Sequence, residues 1–350
     1  MKNYYLKKII ILIFIFTHTL MNKNNNQINI SKIIHNYYNY KKYYYYKFNY
    51  KNIFKNYSNK KRKNINKDNT IKLAVAICVI AKEENLYIKE FINHYKNLGV
   101  KKIFLYDNNE LNGENFNDIL NEEIRNNLVE IIDYRGKISP QRIAYNDCFM
   151  KNKNKYDWIA FYDIDEFLYI ENYNNINKFL SQKKFNKCSS ILINWKYYGD
   201  NNNIYYEPKE LKKRFTKPFS FNPNKNYDIY FYSAAKSIVR GRDKVKLIWA
   251  HFPHFLNNTS ICRPDGKKVL YPLSKFNYSY AYIKHYSTKS TEEFLMKLFK
   301  RRVSTIINFN IRYITFWLCK YYFLFNKVTK KKLSLIKRIL KFDISKNLTI

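Results

Sequence analysis

The amino-acid sequence predicts an α/β fold with a central, mostly parallel sheet flanked by helices. Three observations lead to this prediction. Strand-like and helix-like segments alternate three times between residues 71 and 162. The strand-like segments are continuous apolar runs, which are typical of strands buried on both faces. The intervening segments place apolar residues at helical spacings, as the crossover connections between parallel strands require.

The predicted elements follow one another in a regular order. Leu73–Ala81 is the first strand, and Asn85–Leu98 is a helix closed by Gly99, a common helix stop. Ser139 as N-cap with Pro140 at the first helical position predicts a helix that runs to about Lys151. The other predicted elements are strands over Lys102–Tyr106, Val129–Ile132, Trp158–Tyr162, Ser189–Trp195, Ala234–Val239 and Val245–Ala250, a helix over Glu114–Arg125, and a helix that begins at a capping box of Ser290 and Glu293.

The strongly basic composition does not by itself predict a nucleic-acid-binding protein. The chain carries 64 Lys and Arg against 27 Asp and Glu, a formal net charge of +37. The excess is greatest in the flanks: residues 1–70 carry 15 basic residues and one acid, and residues 318–350 carry nine and one. A nucleic-acid binder is expected to concentrate Arg on one face, and Arg is scarce here. We therefore expect no specific nucleic-acid partner.

The cysteines predict neither a disulfide framework nor a thiolate zinc site. Five cysteines are scattered along 350 residues, and no two of them form a C-x-x-C pair. Small disulfide scaffolds are much denser in cysteine, and structural zinc sites use closely spaced pairs.

The chain divides into four predicted segments. Residues 1–21 contain an apolar run after three lysines and predict a signal peptide or short membrane anchor, and thus a membrane-anchored or secretory-lumen location, with the cytoplasm as the alternative. Residues 22–70 are rich in Asn, Lys and Tyr without periodicity and predict a low-complexity stem. Residues 71–305 form the predicted globular domain. Residues 306–350 form a basic, aromatic C-terminal extension that could pack on the domain or lie at a membrane surface.

Polar residues follow three predicted strands at the point where each strand ends. Asp163 and Asp165 follow the buried run Trp158–Tyr162, Asp107 ends the second strand, and Lys82 and Glu84 follow the first. The carboxyl ends of parallel strands meet at one edge of a sheet, where ligands of such folds bind. Paired carboxylates there suit Mg²⁺ or Mn²⁺ bound to a diphosphate. An isolated D-x-D sequence is more often a solvated turn. Here the polar residues at the ends of the first and second strands favour a binding site instead.

The ordered motifs of residues 74–302 resemble those of the DUF23-like glycosyltransferases, family 92 and its bacterial and viral relatives. Each motif is weak alone, and their order along the chain makes the resemblance fairly specific. Two departures from the family pattern are Glu83, where the family has Asn, and Lys213, where it has Glu before Arg-Phe. The matching blocks are Lys82-Glu83-Glu84-Asn85, His94-Tyr95, Tyr106-Asp107-Asn108, Pro140-Gln141, Phe161–Leu168, Trp195…Gly199, Arg214-Phe215, Lys236-Ser237-Ile238 and His285-Tyr286…Lys289-Ser290…Glu293-Phe294…Lys297.

The resemblance implies a GT-A fold and a metal-dependent glycosyltransferase. The expected cofactor is Mn²⁺ or Mg²⁺, the donor a nucleotide-sugar such as a UDP-sugar, and the acceptor a glycan, glycoprotein or glycolipid, with inversion at the anomeric carbon. Asp163 and Asp165 would bridge the ion to the diphosphate, and Asp107 would lie near the base or ribose. Independently of the resemblance, Glu166 is expected to order the loop after the metal pair, with a direct ligand role as the alternative. The remaining expected donor-binding residues are Lys82, Glu84, Gln141 and Lys289.

Two assignments remain open between alternatives. His285 and His251 are both candidate metal ligands; His285 is preferred because a helix start docked over the phosphates would bring it near Asp163 and Asp165. Asp200 and Glu210 are candidate catalytic bases on the acceptor side. The alternative functions are a catalytically inactive GT-A-like glycan-binding protein and a metal-dependent phosphoesterase, although the further ligands of a two-metal site are not evident in the sequence.

Overall fold

The computed structural model describes residues 73–138, 140–220, 234–243, 245–248, 253–255, 260–269, 278–297, 322 and 326–340. The predicted segments 1–21 and 22–70 lie outside these residues, as do His251, Ser139 and most of residues 306–350. Within the described part of the chain, no helix is both long and apolar enough to cross a membrane.

The structure contains eleven strands and seven helices in its described part. The strands are β1 (Val75–Ala81), β2 (Lys102–Asp107), β3 (Val129–Asp133), β4 (Trp158–Tyr162), β5 (Glu166–Ile170), β6 (Ser190–Tyr197), β7 (Ala235–Arg240), β8 (Val245–Ile248), β9 (Pro253–Phe255), β10 (Ile261–Cys262) and β11 (Ala281–His285). The helices are α1 (Ile88–Asn97), α2 (Asn121–Arg125), α3 (Gln141–Asn152), α4 (Ile176–Leu180), α5 (Leu211–Arg214), α6 (291–297) and α7 (Lys330–Leu340), and Lys183–Phe185 forms a 3₁₀ turn.

The main sheet has the order β3-β2-β1-β4-β7-β6-β11-β5, with β10 beside β6. Strands β1 to β4 pair in parallel, as predicted, and β6 pairs in parallel with β10 and β11. Antiparallel pairs join β4 to β7, β7 to β6, and β11 to β5. The predicted α/β class with a mostly parallel sheet is confirmed.

Alternate residues of β1 enter two apolar cores on opposite faces of the sheet. Val75, Ile77 and Val79 pack in the core that includes helix α1, whereas Ala76 and Cys78 pack in the core that includes helix α3. Because both faces are covered, the strand is apolar throughout, and that continuity is the pattern from which it was predicted. The result is a three-layer arrangement in which both crossover helices hold β1 centrally.

Two predicted helices begin later than expected. The helix predicted over Glu114–Arg125 is confined to α2, because the Asn115 side chain accepts a hydrogen bond from the backbone N–H of Asn117 and so favours a turn. Pro140 is the N-cap residue of α3 rather than its first helical residue. By contrast, Gly99 ends α1 with a φ of +88°, as the sequence indicated.

The structure contains two disulfides that the sequence analysis did not predict. Cys78 of β1 is bonded to Cys148 of α3, and Cys188 is bonded to Cys262 of β10, with sequence separations of 70 and 74 residues. Such separations carry no recognisable spacing pattern, since the partners meet only after the sheet has assembled. Each bond closes a long loop, which stabilises a fold by about 2–4 kcal/mol in typical proteins.

Candidate active site

The candidate site lies in the turn between β4 and β5. β4 ends at Tyr162, and the turn then presents Asp163 and Asp165 before Glu166 begins β5. Ala81 at the end of β1 is paired with Asp107 at the end of β2, and β4 lies beside β1 in parallel. The polar ends of β1, β2 and β4 therefore share one edge of the sheet, as predicted.

Asp163 is held by three side chains. Its Oδ1 accepts hydrogen bonds from Gln141 Nε2 and from the Tyr145 hydroxyl, both at 2.9 Å. Its Oδ2 accepts from Lys236 Nζ at 2.8 Å, and Lys236 is fully buried in β7. Burial alone would raise the pKa of Asp163, but the charge of Lys236 and the hydrogen bonds from Lys236 and Tyr145 together keep that pKa below its ordinary value. Asp163 is therefore a fixed carboxylate with both oxygens occupied.

Glu166 is fully buried, and its two oxygens are used differently. Oε2 accepts a hydrogen bond from the Asp163 backbone N–H at 3.0 Å, which orders the turn. Oε1 lies 3.6 Å from Lys236 Nζ and has no hydrogen-bond donor among the described residues. Burial, with added repulsion from Asp163 and Asp165, holds the pKa of Glu166 well above its ordinary value despite the attraction of Lys236. The site thus contains an oxygen ligand that lacks a hydrogen-bond donor.

Asp165 lies between His285 and Lys297. His285 Nε2 is 3.6 Å from Asp165 Oδ1, and Lys297 Nζ donates to Oδ2 at 3.1 Å. Burial would raise the pKa of Asp165, but these neighbours hold it well below its ordinary value. Ligand atoms of Asp165, Glu166 and His285 all lie within 4.8 Å of one another, the spacing of a possible metal site.

His285 is brought to the site by a strand that the sequence analysis did not predict. It ends β11, which runs parallel to β6 and antiparallel to β5, so that His285 pairs directly with Glu166. The expected proximity of His285 to Asp165 is therefore present, but its physical cause is strand pairing. The rival residue, His251, lies outside the described residues.

The predicted capping box is present at the start of α6. The Ser290 backbone N–H donates to Glu293 Oε2 at 3.1 Å, and the Glu293 backbone N–H donates to Ser290 Oγ at 3.3 Å. Lys289, which directly precedes the box, has a left-handed φ of +53°. Its Nζ lies 3.3 Å from Glu84 Oε2 and 3.5 Å from the centre of the Tyr87 ring. The structure thus brings together Glu84 and Lys289, two predicted donor-binding residues.

Two other predicted donor-binding residues lie along the same strand edge. Asp107 is buried at the end of β2, where its Oδ1 accepts from the Asn109 backbone N–H at 2.9 Å. Burial raises the pKa of Asp107. Lys82 forms a partly exposed ion pair with Glu110. Both side chains therefore interact within the loops that follow β1 and β2.

The contacts of the two candidate bases do not support that role. Asp200 is buried, and its Oδ2 receives hydrogen bonds or ion-pair contacts from the Tyr322 hydroxyl and Lys332 Nζ. It therefore anchors the C-terminal part of the chain to the domain. Glu210 is partly exposed at the start of α5 and forms ion pairs with Lys212 and Lys213. Among the described contacts, neither carboxylate touches the acidic turn.

Lys236 and Lys297 are site residues to which the sequence analysis assigned no role. Both lie in quoted motifs, Lys236 in Lys236-Ser237-Ile238 and Lys297 at the end of the last block. A charged residue in the middle of an apolar strand was the available signal for Lys236, because a buried ammonium needs an anionic partner. Together the two lysines offset part of the charge of the three clustered carboxylates.

The mostly parallel sheet, the acidic turn at the end of β4 and the nearby histidine define an α/β protein with a candidate metal site at one edge of its sheet. The chain belongs to glycosyltransferase family 92, whose sequence profile matches residues 71–321.

The known relatives that the chain resembles match it over short segments. A glycosyltransferase family 92 protein of Arabidopsis thaliana is 28% identical over 109 residues, which are 29% of this chain and 18% of the relative. Family 92 proteins of Ricinus communis and Oryza sativa subsp. japonica are 23% and 26% identical over 27% of this chain, and over 17% and 16% of their own lengths. The chain thus spans less than a fifth of these curated relatives.

Solved structures of S. aureus TarS share low similarity with the chain. A structure of TarS residues 1–349 is 14% identical with a TM-score of 0.36, over 77% of this chain and 79% of that one. A complex of the same fragment with UDP has a TM-score of 0.31, over 48% of this chain and 47% of that one.

Proposed function

We propose that this protein is a metal-dependent glycosyltransferase that moves a sugar from a nucleoside-diphosphate sugar to a glycan-bearing acceptor. The observation that carries the proposal is the buried cluster of Asp165, Glu166 and His285 at the carboxyl edge of the sheet. Membership of family 92 supports the reaction class. A buried acidic cluster that includes an oxygen without a hydrogen-bond donor is costly unless a cation binds there.

The residues present fit a divalent metal ion. Glu166 Oε1 lacks a hydrogen-bond donor among the described residues, and one ligand atom from each of Asp165, Glu166 and His285 lies within 4.8 Å of the other two. A mixed oxygen and imidazole ligand set suits Mn²⁺, whereas Mg²⁺ prefers oxygen ligands alone. When bound, the ion would supply Lewis-acid stabilisation to the departing nucleoside diphosphate. Asp165, Glu166 and His285 would hold it.

Asp163 would have a different task from Asp165. Its oxygens already accept three hydrogen bonds, from Gln141, Tyr145 and Lys236. We propose that Asp163 orients the donor and the turn, and that Lys236 keeps it ionised. This division modifies the expectation that the two aspartates bridge the ion as equals.

Lys289 and Lys297 would stabilise the diphosphate of the donor. In the structure their ammonium groups pair with Glu84 and Asp165, at 3.3 and 3.1 Å. An ammonium close to a buried acidic site can transfer its hydrogen bonds to phosphate oxygens. We propose Asp107 as a contact to the base or ribose, a UDP-sugar as the donor and inversion as the stereochemical course.

The two disulfides support a location in an oxidising compartment. Disulfides persist in the secretory pathway and are rare in the reducing cytosol. We therefore propose the secretory lumen, reached through residues 1–21, as the location. Alkylation of the unreduced, unfolded protein should leave Cys78, Cys148, Cys188 and Cys262 unlabelled; labelling of these four would contradict the two bonds.

The proposed reaction is tested by a donor screen. The full chain is incubated with a panel of nucleotide-sugars and Mn²⁺, and release of the nucleoside diphosphate is measured with and without chelator. We expect chelator-sensitive hydrolysis of one donor, absent in Asp165→Asn and retained in Asp118→Asn, which changes an exposed carboxylate outside the site. Chelator-resistant turnover, or equal turnover by both variants, would contradict the proposal.

A further inference from the structure

The sheet face opposite His285 carries two lysines side by side. Successive residues of a strand point to opposite faces, so Lys284 lies on the face away from His285 and the acidic cluster. In the parallel pair of β11 and β6, Lys284 is in register with Lys196. Both side chains are partly buried. The side chains of Lys196 and Lys284 therefore extend from neighbouring strands at the same register position and on the same face.

No carboxylate among the described residues forms an ion pair with either lysine. Like charges directly opposite one another on a sheet are destabilising, and partial burial strengthens their repulsion. Burial lowers the pKa of Lys284, and repulsion from the charges of Lys196 and Lys212 lowers it further. The arrangement would be more favourable with an anion bound between the two ammonium groups.

Tyrosine rings surround the two ammonium groups. Lys196 Nζ lies 4.7 Å from the centre of the Tyr282 ring, and Lys284 Nζ lies 5.3 Å from that of Tyr169. The rings of Tyr169 and Tyr282 are themselves 4.8 Å apart, and Tyr169 is 43% exposed. Tyr278 lies 5.4 Å from Lys196. The rings stabilise the cations partly and present a flat apolar surface beside them.

We propose that this lysine–tyrosine face, formed by Lys196, Lys284, Tyr169, Tyr278 and Tyr282, is a second binding site, for an acidic saccharide. The carboxylate, sulfate or phosphate of the sugar would accept hydrogen bonds from both lysines, and its ring would stack on Tyr169. Ammonium groups on adjacent strands, about 4.8 Å apart at the backbone, can reach one oxyanion together. The choice of a saccharide rests on the proposed function.

The location of this face separates it from the donor site. His285 and Lys284 are adjacent in β11 but lie on opposite faces of the sheet. A saccharide bound at the lysine–tyrosine face would therefore lie on the opposite side of the sheet from the acidic cluster. Binding there would keep an acidic glycan near the enzyme without bringing the bound sugar into the reaction. A single-stranded nucleic acid is the rival ligand, since lysines beside tyrosines also bind phosphates and bases.

Calorimetry on the full chain tests the proposal. The probes are an oligosaccharide of galacturonic acid, a neutral galactose oligosaccharide of equal length, inorganic phosphate and an oligouridylate. The test variant is Lys196→Met with Lys284→Met, and the matched control is Lys178→Met with Lys187→Met, which removes the same charge from two exposed lysines. We expect the acidic oligosaccharide to bind at least about tenfold more tightly than the neutral one, a difference of about 1.4 kcal/mol.

The test variant should lose about tenfold in affinity for the acidic oligosaccharide, while the control stays within about twofold. Equal loss in both variants would show binding to net charge alone and overturn the proposal, as would tighter binding of the oligouridylate. Tyr169→Ala changes an exposed side chain, so it serves if the lysine variant does not fold. It should weaken saccharide binding but not phosphate binding. Because binding is measured without turnover, these results are independent of the donor screen.

Discussion

His285, the last residue of β11, is paired directly with Glu166, the first residue of β5. The pairing brings together two residues far apart in sequence and positions the imidazole 3.6 Å from Asp165. Strand register therefore sets the geometry of the proposed metal site. A site built on strands is more rigid than one built on loops.

The first prediction concerns metal binding. His285→Ala and Asp165→Asn should each weaken binding of Mn²⁺ by at least about tenfold, because each removes a proposed ligand. The measurement is calorimetric titration of the protein with Mn²⁺ alone. His94→Ala is not a suitable control because His94 is partly buried and hydrogen-bonded to Leu168, so the exposed Asp118 is changed to Asn instead. Unchanged Mn²⁺ affinity in both site variants would remove the metal from the mechanism.

The second prediction concerns the buried ammonium of Lys236. Lys236→Met should destabilise the protein by about 3–5 kcal/mol at neutral pH, because it leaves the buried Glu166 and the partly buried Asp163 without their cation. The loss should shrink as the pH falls, since protonation of the carboxylates removes the uncompensated charge. Urea unfolding at several pH values measures both effects.

The companion variant Lys236→Met with Glu166→Gln separates charge from packing. Removing one carboxylate together with the ammonium should recover part of the lost stability. If the double variant is no more stable than Lys236→Met at pH 7, the role of Lys236 is packing rather than charge compensation.

Strands β1 to β4 could be predicted because their signal is local. Strands β1, β2 and β4 are buried, largely apolar runs, whereas β3 is half-exposed, and the helices between the strands have their own apolar periodicity. Strands β5 and β11 escaped prediction because charged side chains such as Glu166 and Lys284 interrupt their apolar residues, and β11 alternates buried and half-buried positions. Their identity depends on pairing with each other and, for β11, with β6.

The residues of the candidate site also differ in whether the sequence alone could locate them. The acidic turn follows a recognisable strand, so Asp163 and Asp165 could be located from the sequence alone. The partners of these residues could not, because Lys236 reaches Asp163 only when β7 lies beside β4. Asp200 illustrates the converse: the sequence suggested it as an acid on the acceptor side, and only the structure shows its contacts with Tyr322 and Lys332.

The third prediction concerns acid stability and His94. His94 donates from Nε2 to the Leu168 carbonyl at 2.9 Å, and burial lowers its pKa from 6.5 to about 4. Between pH 6.5 and pH 4 the imidazole takes up a proton in the unfolded chain but not in the folded protein. Protonation therefore favours the unfolded state, so the free energy of unfolding is highest above pH 6.5 and decreases as the pH falls towards 4. One proton over this range corresponds to a loss of up to about 3 kcal/mol.

The effect of His94 on the pH dependence of stability is measured by comparing the wild type with His94→Gln. Glu90 and Glu166 have raised pKa values and act in the opposite sense in the same range. The stability of the wild type relative to His94→Gln should therefore decrease steadily from pH 6.5 to pH 4. A difference that does not change with pH would show that His94 titrates normally in the folded protein.

The fourth prediction separates an anchoring role of Asp200 from a catalytic one. Asp200 and Lys332 are both buried, and Tyr322 also donates to this carboxylate. Asp200→Asn leaves the Lys332 ammonium buried without its anion, which should reduce stability by about 3–5 kcal/mol. The double variant Lys332→Met with Asp200→Asn removes both charges and should reduce stability much less. If Asp200 is only an anchor, the double variant should keep the Mn²⁺ affinity and the donor hydrolysis of the wild type, since neither residue contacts the acidic turn in the described structure. A catalytic base behaves differently: its removal lowers turnover to the acceptor by about 10²–10⁴-fold without changing stability in proportion. Unfolding curves and turnover on the same samples therefore distinguish the two roles, and a stable double variant that has lost acceptor transfer but not donor hydrolysis would restore Asp200 as the base.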